Sequence, residues 1–222
     1  MTFSFRFVAV AALFITCLIT ANIIIVKQIA VGSITIPAAI IIFPLTYICS
    51  DVLTEVYGYK QARLVIWLGF ICNLIAVIAF WLGGLLPPAP AFEAQSAYER
   101  ILGNTPRFLI ASLTAYFAGE FANSFVLAKM KIATSGRWLW SRTISSTLVG
   151  QGLDSLVALT IAFAGVLPFS ILGIMILAHW LLKSAYEIIA TPLTYLVVNY
   201  LKQKENVDVY DYKTNFNPFT IG

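Results

Sequence analysis

The sequence predicts an all-α integral membrane bundle of six transmembrane helices. Three observations carry that prediction. Of the 222 residues 60% are hydrophobic and only 11% are charged, against roughly 25% charged in soluble domains. The apolar residues gather into stretches of about 20, the length that crosses a hydrocarbon core as a helix. Prolines and basic residues fall mostly between those stretches, where helices end.

The first span is expected from Phe7 to Val26. A signal peptide is the competing reading, but no small-residue cleavage site follows the run, so the segment is taken as a span. The second runs from Ile36 to Tyr57, interrupted by Pro37 and Pro44. The third covers Arg63 to Leu86 and is closed by Pro87, Pro88 and Pro90. The fourth extends from Pro106 to Lys129, with proline in the first turn, where its missing N–H costs nothing. The fifth covers Arg142 to Gly165. The sixth, Ser170 to Leu201, is long for one crossing and predicts tilt or a kink near Pro192. The whole chain reads as one transmembrane domain, with a polar tail from about residue 202 extending into the cytosol. Its longest loop is Pro87 to Thr105.

Basic residues favour cytoplasmic loops. With the N-terminus inside, the inner side carries Arg6, Lys60, Arg63, Lys129, Lys131, Arg137, Arg142, Lys202, Lys204 and Lys213, and the outer side only Lys27, Arg100 and Arg107. Both termini are therefore expected in the cytoplasm, the chain being multi-pass in the plasma (inner) membrane. The net charge of +4 reflects this bias and not a nucleic-acid partner, because the Lys and Arg residues are dispersed between spans. Cys17, Cys49 and Cys72 lack metal-site spacing and read as packing residues. No P-loop is present, and no metal or cofactor is implied.

Function must then lie in the polar residues placed inside the spans, where an ionisable group is costly unless paired or wetted. Tyr47, Asp51 and Glu55 share one face of span two. Span four carries Ser112, Tyr116, Glu120 and Asn123; span five carries Thr147, Gln151 and Asp154; span six carries His179, Lys183 and Glu187. Thr16, Thr20, Asn22 and Asn73 add to these. Some of these residues have an ordinary reading. Hydroxyl and amide side chains often join helices by hydrogen bonds, a lone histidine is more often an interhelical hydrogen-bonder than a ligand, and Asp51 and Glu55 lie close enough to the inner interface to meet headgroups or Arg63. Gln151, Asp154 and Lys183 have no such escape to water along their own helices. A polar pocket at or below the midplane is what a solute carrier builds. An intramembrane enzyme would need a nucleophile and base or a metal cluster, and neither H-E-x-x-H nor G-x-S-x-G occurs. A structural subunit that uses polar residues as helix glue is the remaining alternative.

The segments FPLTYICSDVLTEVYGYKQAR (Phe43 to Arg63), GEFANSFVLAKMK (Gly119 to Lys131), RTISSTLVGQGLDS (Arg142 to Ser155) and HWLLKSAYEIIATPLTYLVVNYL (His179 to Leu201) together resemble the queuosine precursor transporters, a vitamin-uptake-like family of small six-span membrane proteins. The most specific part is D-x-x-x-E-x-Y-G at Asp51 to Gly58, with G-Q-x-x-D at Gly150 to Asp154 and Lys183. The resemblance implies uptake of 7-deazaguanine bases, such as 7-cyano-7-deazaguanine or 7-aminomethyl-7-deazaguanine, for the modified tRNA base queuosine. The residues suit such a ligand. A carboxylate accepts from the adjacent N–H and amine of a guanine-like edge, and a side-chain amide bonds the neighbouring carbonyl. Asp154 with Gln151 is one such pair and Glu120 with Asn123 another. Asp51, Glu55, Lys183 and Glu187 supply further charge, and Tyr47, Tyr116, Trp180 and Tyr186 are candidate walls for the flat ring.

The resemblance also implies the compact bundle of the substrate-binding subunits of energy-coupling-factor transporters. Those subunits dock their energising partner through an A-x-A-x-x-x-A face, of which this chain has Ala9 and Ala11 but Ile15. The expectation is therefore a secondary carrier, with a subunit of an ATP-driven complex as the alternative. Five carboxyls in or near the bundle, against Lys183, further suggest proton coupling. A homodimer is left open.

Overall fold

The computed structural model describes residues 3–31, 34–103 and 106–220. Among them, seven α-helices and one short hairpin form the fold. Helix α1 (Phe5–Ile24) begins at Ser4, whose Oγ accepts the Phe7 N–H at 3.1 Å, an N-cap on an otherwise apolar helix. A two-stranded antiparallel hairpin follows, β1 (Gln28–Val31) pairing with β2 (Ile34–Pro37). A 3-10 turn (Ala38–Ile41) leads into α2 (Phe43–Tyr57), then α3 (Tyr59–Leu85), α4 (Gln95–Leu102), α5 (Pro106–Ala133), α6 (Leu139–Phe163) and α7 (Phe169–Glu205).

The fold is a helical bundle, and α1, α3, α6 and α7 are each long and apolar enough to cross a membrane. The two remaining long segments differ from the sequence expectation for a physical reason. The segment expected to cross from Ile36 to Tyr57 is divided into β2, the 3-10 turn and a helix of only 15 residues, roughly 22 Å long. Thirteen of those 15 residues are buried, because α1, α3, α5 and α7 all pack around α2. Protein, not lipid, solvates its polar side chains. Helix α5 has 28 residues, a sufficient length, but polar side chains dilute its apolar character.

Three further departures concern loops and ends. The hairpin adds strand to a fold expected to be all-α. The long loop expected from Pro87 to Thr105, whose Thr105 lies outside the described residues, contains α4. The tail does not extend freely: residues 206–220 fold back on the bundle, where Tyr59 N–H donates to Asp211 Oδ2 at 2.9 Å, Arg63 Nη1 to the carbonyls of Asn215 and Asn217 at 2.8 and 2.7 Å, and Trp67 Nε1 to that of Pro218 at 2.8 Å. Gly58, between α2 and α3, has φ +84°, and a Cβ there would lie 2.7 Å from Val209 Cγ1 of the tail; glycine meets both demands. Helix α7 runs unbroken across Pro192.

Helices α5 and α6 approach each other at two glycines. A Cβ on Gly119 would stand 2.9 Å from Asp154 Cβ and 3.0 Å from Gly150 O, and one on Gly150 would stand 2.8 Å from Asn123 Cβ and 2.9 Å from Gly119 O. Small residues allow backbones this close in a membrane bundle, and this contact brings Glu120 and Asn123 beside Gln151 and Asp154.

Candidate functional site

The ends of the bundle are distinguishable. Arg6 Nη1 lies 3.4 Å from Glu205 Oε1, so α1 begins where α7 ends; this terminal end also holds the tail. The opposite end carries the hairpin. A cavity of about 280 Å³ extends from the middle of the bundle to the hairpin end, where Ile25 and Phe108, both exposed, form part of its lining.

Three carboxyls face this cavity. Asp154 Oδ2 pairs with Lys183 Nζ at 2.6 Å, and the same ammonium sits 4.2 Å from the centre of the Phe43 ring. Glu120 accepts a hydrogen bond from Ser50 Oγ at 2.5 Å. Glu187 is buried, and among the described residues its carboxyl has no hydrogen-bond or ion-pair partner. Most of the remaining lining is apolar or aromatic, with Tyr47, Tyr116 and Tyr186 in the wall, and Asn22, Thr46, Ser112 and His179 add polar groups. Tyr116 is fixed through its hydroxyl, which donates to Ile66 O at 2.9 Å. Such a chamber can enclose a flat polar molecule, with ring surface against apolar walls and acceptors on its donors.

Of the residues singled out from sequence, Asp154, Glu120, Glu187, Lys183, Tyr47, Tyr116 and Tyr186 line this cavity, as do Asn22, Ser112 and His179. Asp51, Asn123 and Gln151 are buried behind it. Asn123 Nδ2 donates to Asp51 Oδ1 at 2.8 Å, and the acceptor oxygens of Asn123 and Gln151 have no partner among the described residues. Trp180 does not line the cavity; its Nε1 donates to Leu148 O at 2.9 Å. His179 Nδ1 lies 3.1 Å from Ser155 Oγ, an interhelical contact.

Glu55 is placed elsewhere, in an ionic cluster near the terminal end. Its Oε1 lies 2.8 Å from Arg142 Nη2, 2.7 Å from Lys202 Nζ and 3.7 Å from Lys131 Nζ. Asp208 of the tail joins Lys131 at 2.5 Å and Lys202 at 2.9 Å. Burial works against the charge on Asp208, but hydrogen bonds and charge from Lys131 and Lys202 outweigh it and hold this carboxyl below the ordinary carboxylate range.

Sequence reasoning missed Phe43, Ser50 and the cluster cations. Ser50 stands beside Asp51 in the motif, a signal that could have found it. Arg142 and Lys131 read as loop charges, because nothing in their spacing announces a partner about 80 positions away.

Residues 37–197, well over half the chain, match the family model described as "Putative vitamin uptake transporter". The chain belongs to this family. That membership makes it a multi-pass membrane transporter and not an enzyme. The transporter is also 30% identical, over 180 residues covering 80% of this chain and 78% of the relative, to a Bacillus subtilis (strain 168) protein named "Probable queuosine precursor transporter". No solved structure matches it.

Proposed function

We propose that this chain imports queuosine precursors, 7-deazaguanine bases, as a secondary carrier, and that the cavity between the hairpin end and Glu187 is where they bind. The observation that carries the reading is the cavity itself: aromatic walls around three carboxyls, one of them without a partner among the described residues, in a member of a transporter family with a relative named for this cargo. Glu187 and Glu120 accept from the donor edge of the base, while Lys183 holds Asp154 and is available to the ring carbonyl. Tyr47, Tyr116 and Tyr186 flank the ring. Asp51, Asn123 and Gln151 support the site from behind.

The bundle has six membrane-crossing segments in this reading, α2 and α5 completing it from within, with both termini in the cytoplasm and the chain in the inner membrane. The basic residues gathered near the terminal end support that orientation. Ala9 is exposed but Ala11 is buried, so the two offer no common face for a separate energising subunit. Asp51, Glu120, Asp154 and Glu187 against Lys183 favour entry of a cation with the substrate, and the simplest is a proton.

The test is uptake of labelled 7-cyano-7-deazaguanine by liposomes containing only this chain. Uptake that rises when the exterior is acidified supports a proton-coupled carrier. Uptake indifferent to the gradient leaves a carrier without proton coupling, and none at all with correctly folded protein overturns the reading.

A further inference from the structure

From the cavity to the terminal end, α2 presents one polar contact after another. Ser50 meets Glu120; Asp51 meets Asn123; Thr54 Oγ1 donates to Ser124 Oγ at 3.0 Å; Glu55 meets Arg142. All eight side chains belong to residues buried to within 1%. Beside them, Thr147 Oγ1, Asn123 Oδ1 and Gln151 Oε1 are buried without a hydrogen-bond partner among the described residues. A seam of this kind is an expensive way to hold helices together, since each unmet acceptor costs free energy that an apolar contact would not. It is suited to a route that is dry in one state and wet in another.

The ionic cluster stands at the end of the seam. Glu55 Oε1 takes all three cations, while Glu55 Oε2 and Arg142 Nε are buried without hydrogen-bond partners among the described residues. Buried ion networks satisfied only in part contribute little net stability, although loss of one member is costly. The cluster joins α2, α5, α6, α7 and the tail at one point, and its edge is wetted, with the Lys202 and Asp208 side chains 21% and 42% exposed.

We infer that the seam is the release path for the transported solute and that Glu55, Arg142, Lys131, Lys202 and Asp208 form its gate, shut here while the cavity reaches the opposite end. The inference rests on the transport reading above and adds an exit route and gate residues to it. Opening requires the Glu55 contacts to be exchanged for water, and the tail, held through Asp208 and the Val209 carbonyl to Lys131, to lift from the bundle.

Thiol accessibility tests this. The native thiols are removed by Cys17→Ala, Cys49→Ala and Cys72→Ala, and a reporter is placed in the seam by Ser124→Cys. Labelling by a membrane-impermeant maleimide is then followed in inside-out and right-side-out vesicles. With the cluster intact, labelling from the cytoplasmic side is slow. Glu55→Gln, or the milder Asp208→Asn should Glu55→Gln fail to fold, accelerates it about tenfold or more on that side alone. Added 7-cyano-7-deazaguanine accelerates it in the intact cluster. Labelling unchanged by a folded cluster variant overturns the gate. If the cluster variants accelerate labelling but the base does nothing and does not bind, the gate stands and the assigned cargo falls.

Discussion

The cavity and the ionic cluster both use carboxyls inside the bundle, but with opposite balance. Among the described residues, one lysine, Lys183, lies with the three cavity carboxyls and pairs with Asp154, while Glu187 has no hydrogen-bond or ion-pair partner. Near the terminal end two carboxylates, Glu55 and Asp208, meet three cations. A group left short of partners can take a ligand, whereas a group surrounded by counter-charges is already occupied. Equal depth in sequence thus says little about role; the partners decide it.

The comparison breaks most visibly through Arg142. Arg142→Ala leaves Glu55 buried beside fewer cations, so it should lower stability by about 3 kcal/mol or more and deplete folded protein, read as thermal unfolding in detergent. Asp154→Asn at normal abundance should instead weaken precursor binding by on the order of 2 to 4 kcal/mol, about 30- to 1000-fold. Because Asp154 is held by Lys183, Lys183→Ala should produce a loss of similar size for every ligand tested. An analogue without the exocyclic amine, competed against labelled precursor, should lose less affinity than the parent base on Glu187→Gln.

A smaller effect is expected where α5 meets α6. Gly119→Ala places a methyl group against Asp154 and the Gly150 carbonyl and should cost about 1 to 3 kcal/mol, with reduced binding, since the same contact positions Glu120 and Asp154. Unaltered stability and binding would show that the helices have room to part.

The smallest effect concerns the tail. The Asp208 carboxyl is held below its ordinary value, so its contribution to docking is fully present above the unfolded value of about 3.9 and is lost as pH falls through the lower folded value. Limited proteolysis of the tail should therefore be constant from neutral pH to about 5 and increase only in stronger acid. Cleavage that increases already near pH 6 would assign docking to another group.

Much of this was legible in the sequence. Apolar stretches locate α1, α3, α6 and α7, and polar residues at helical spacing pick out Tyr47, Ser112, Tyr116, Glu120, Asp154, His179, Lys183 and Glu187, which share the cavity. The hairpin and the shortness of α2 were hidden because the apolar run through Ile36 to Tyr57 satisfies a hydropathy count whatever its backbone does. The role of Glu55 was hidden for a different reason: a stripe at i, i+4 and i+8 shows which face Tyr47, Asp51 and Glu55 share, not what each meets along a helix, and the partners of Glu55 come from α5, α6 and α7. The tail looked like solvated chain because its anchors, Asp211 and a row of backbone carbonyls, carry no pattern.

One paired measurement tests the division of labour most directly: equilibrium binding of labelled 7-cyano-7-deazaguanine to purified Glu187→Gln and Glu55→Gln proteins, each checked for folding. The account predicts a loss of about 30-fold or more for Glu187→Gln and a change within about threefold for Glu55→Gln. Equal losses, or a greater loss in Glu55→Gln, would contradict it and return Glu55 to the binding site.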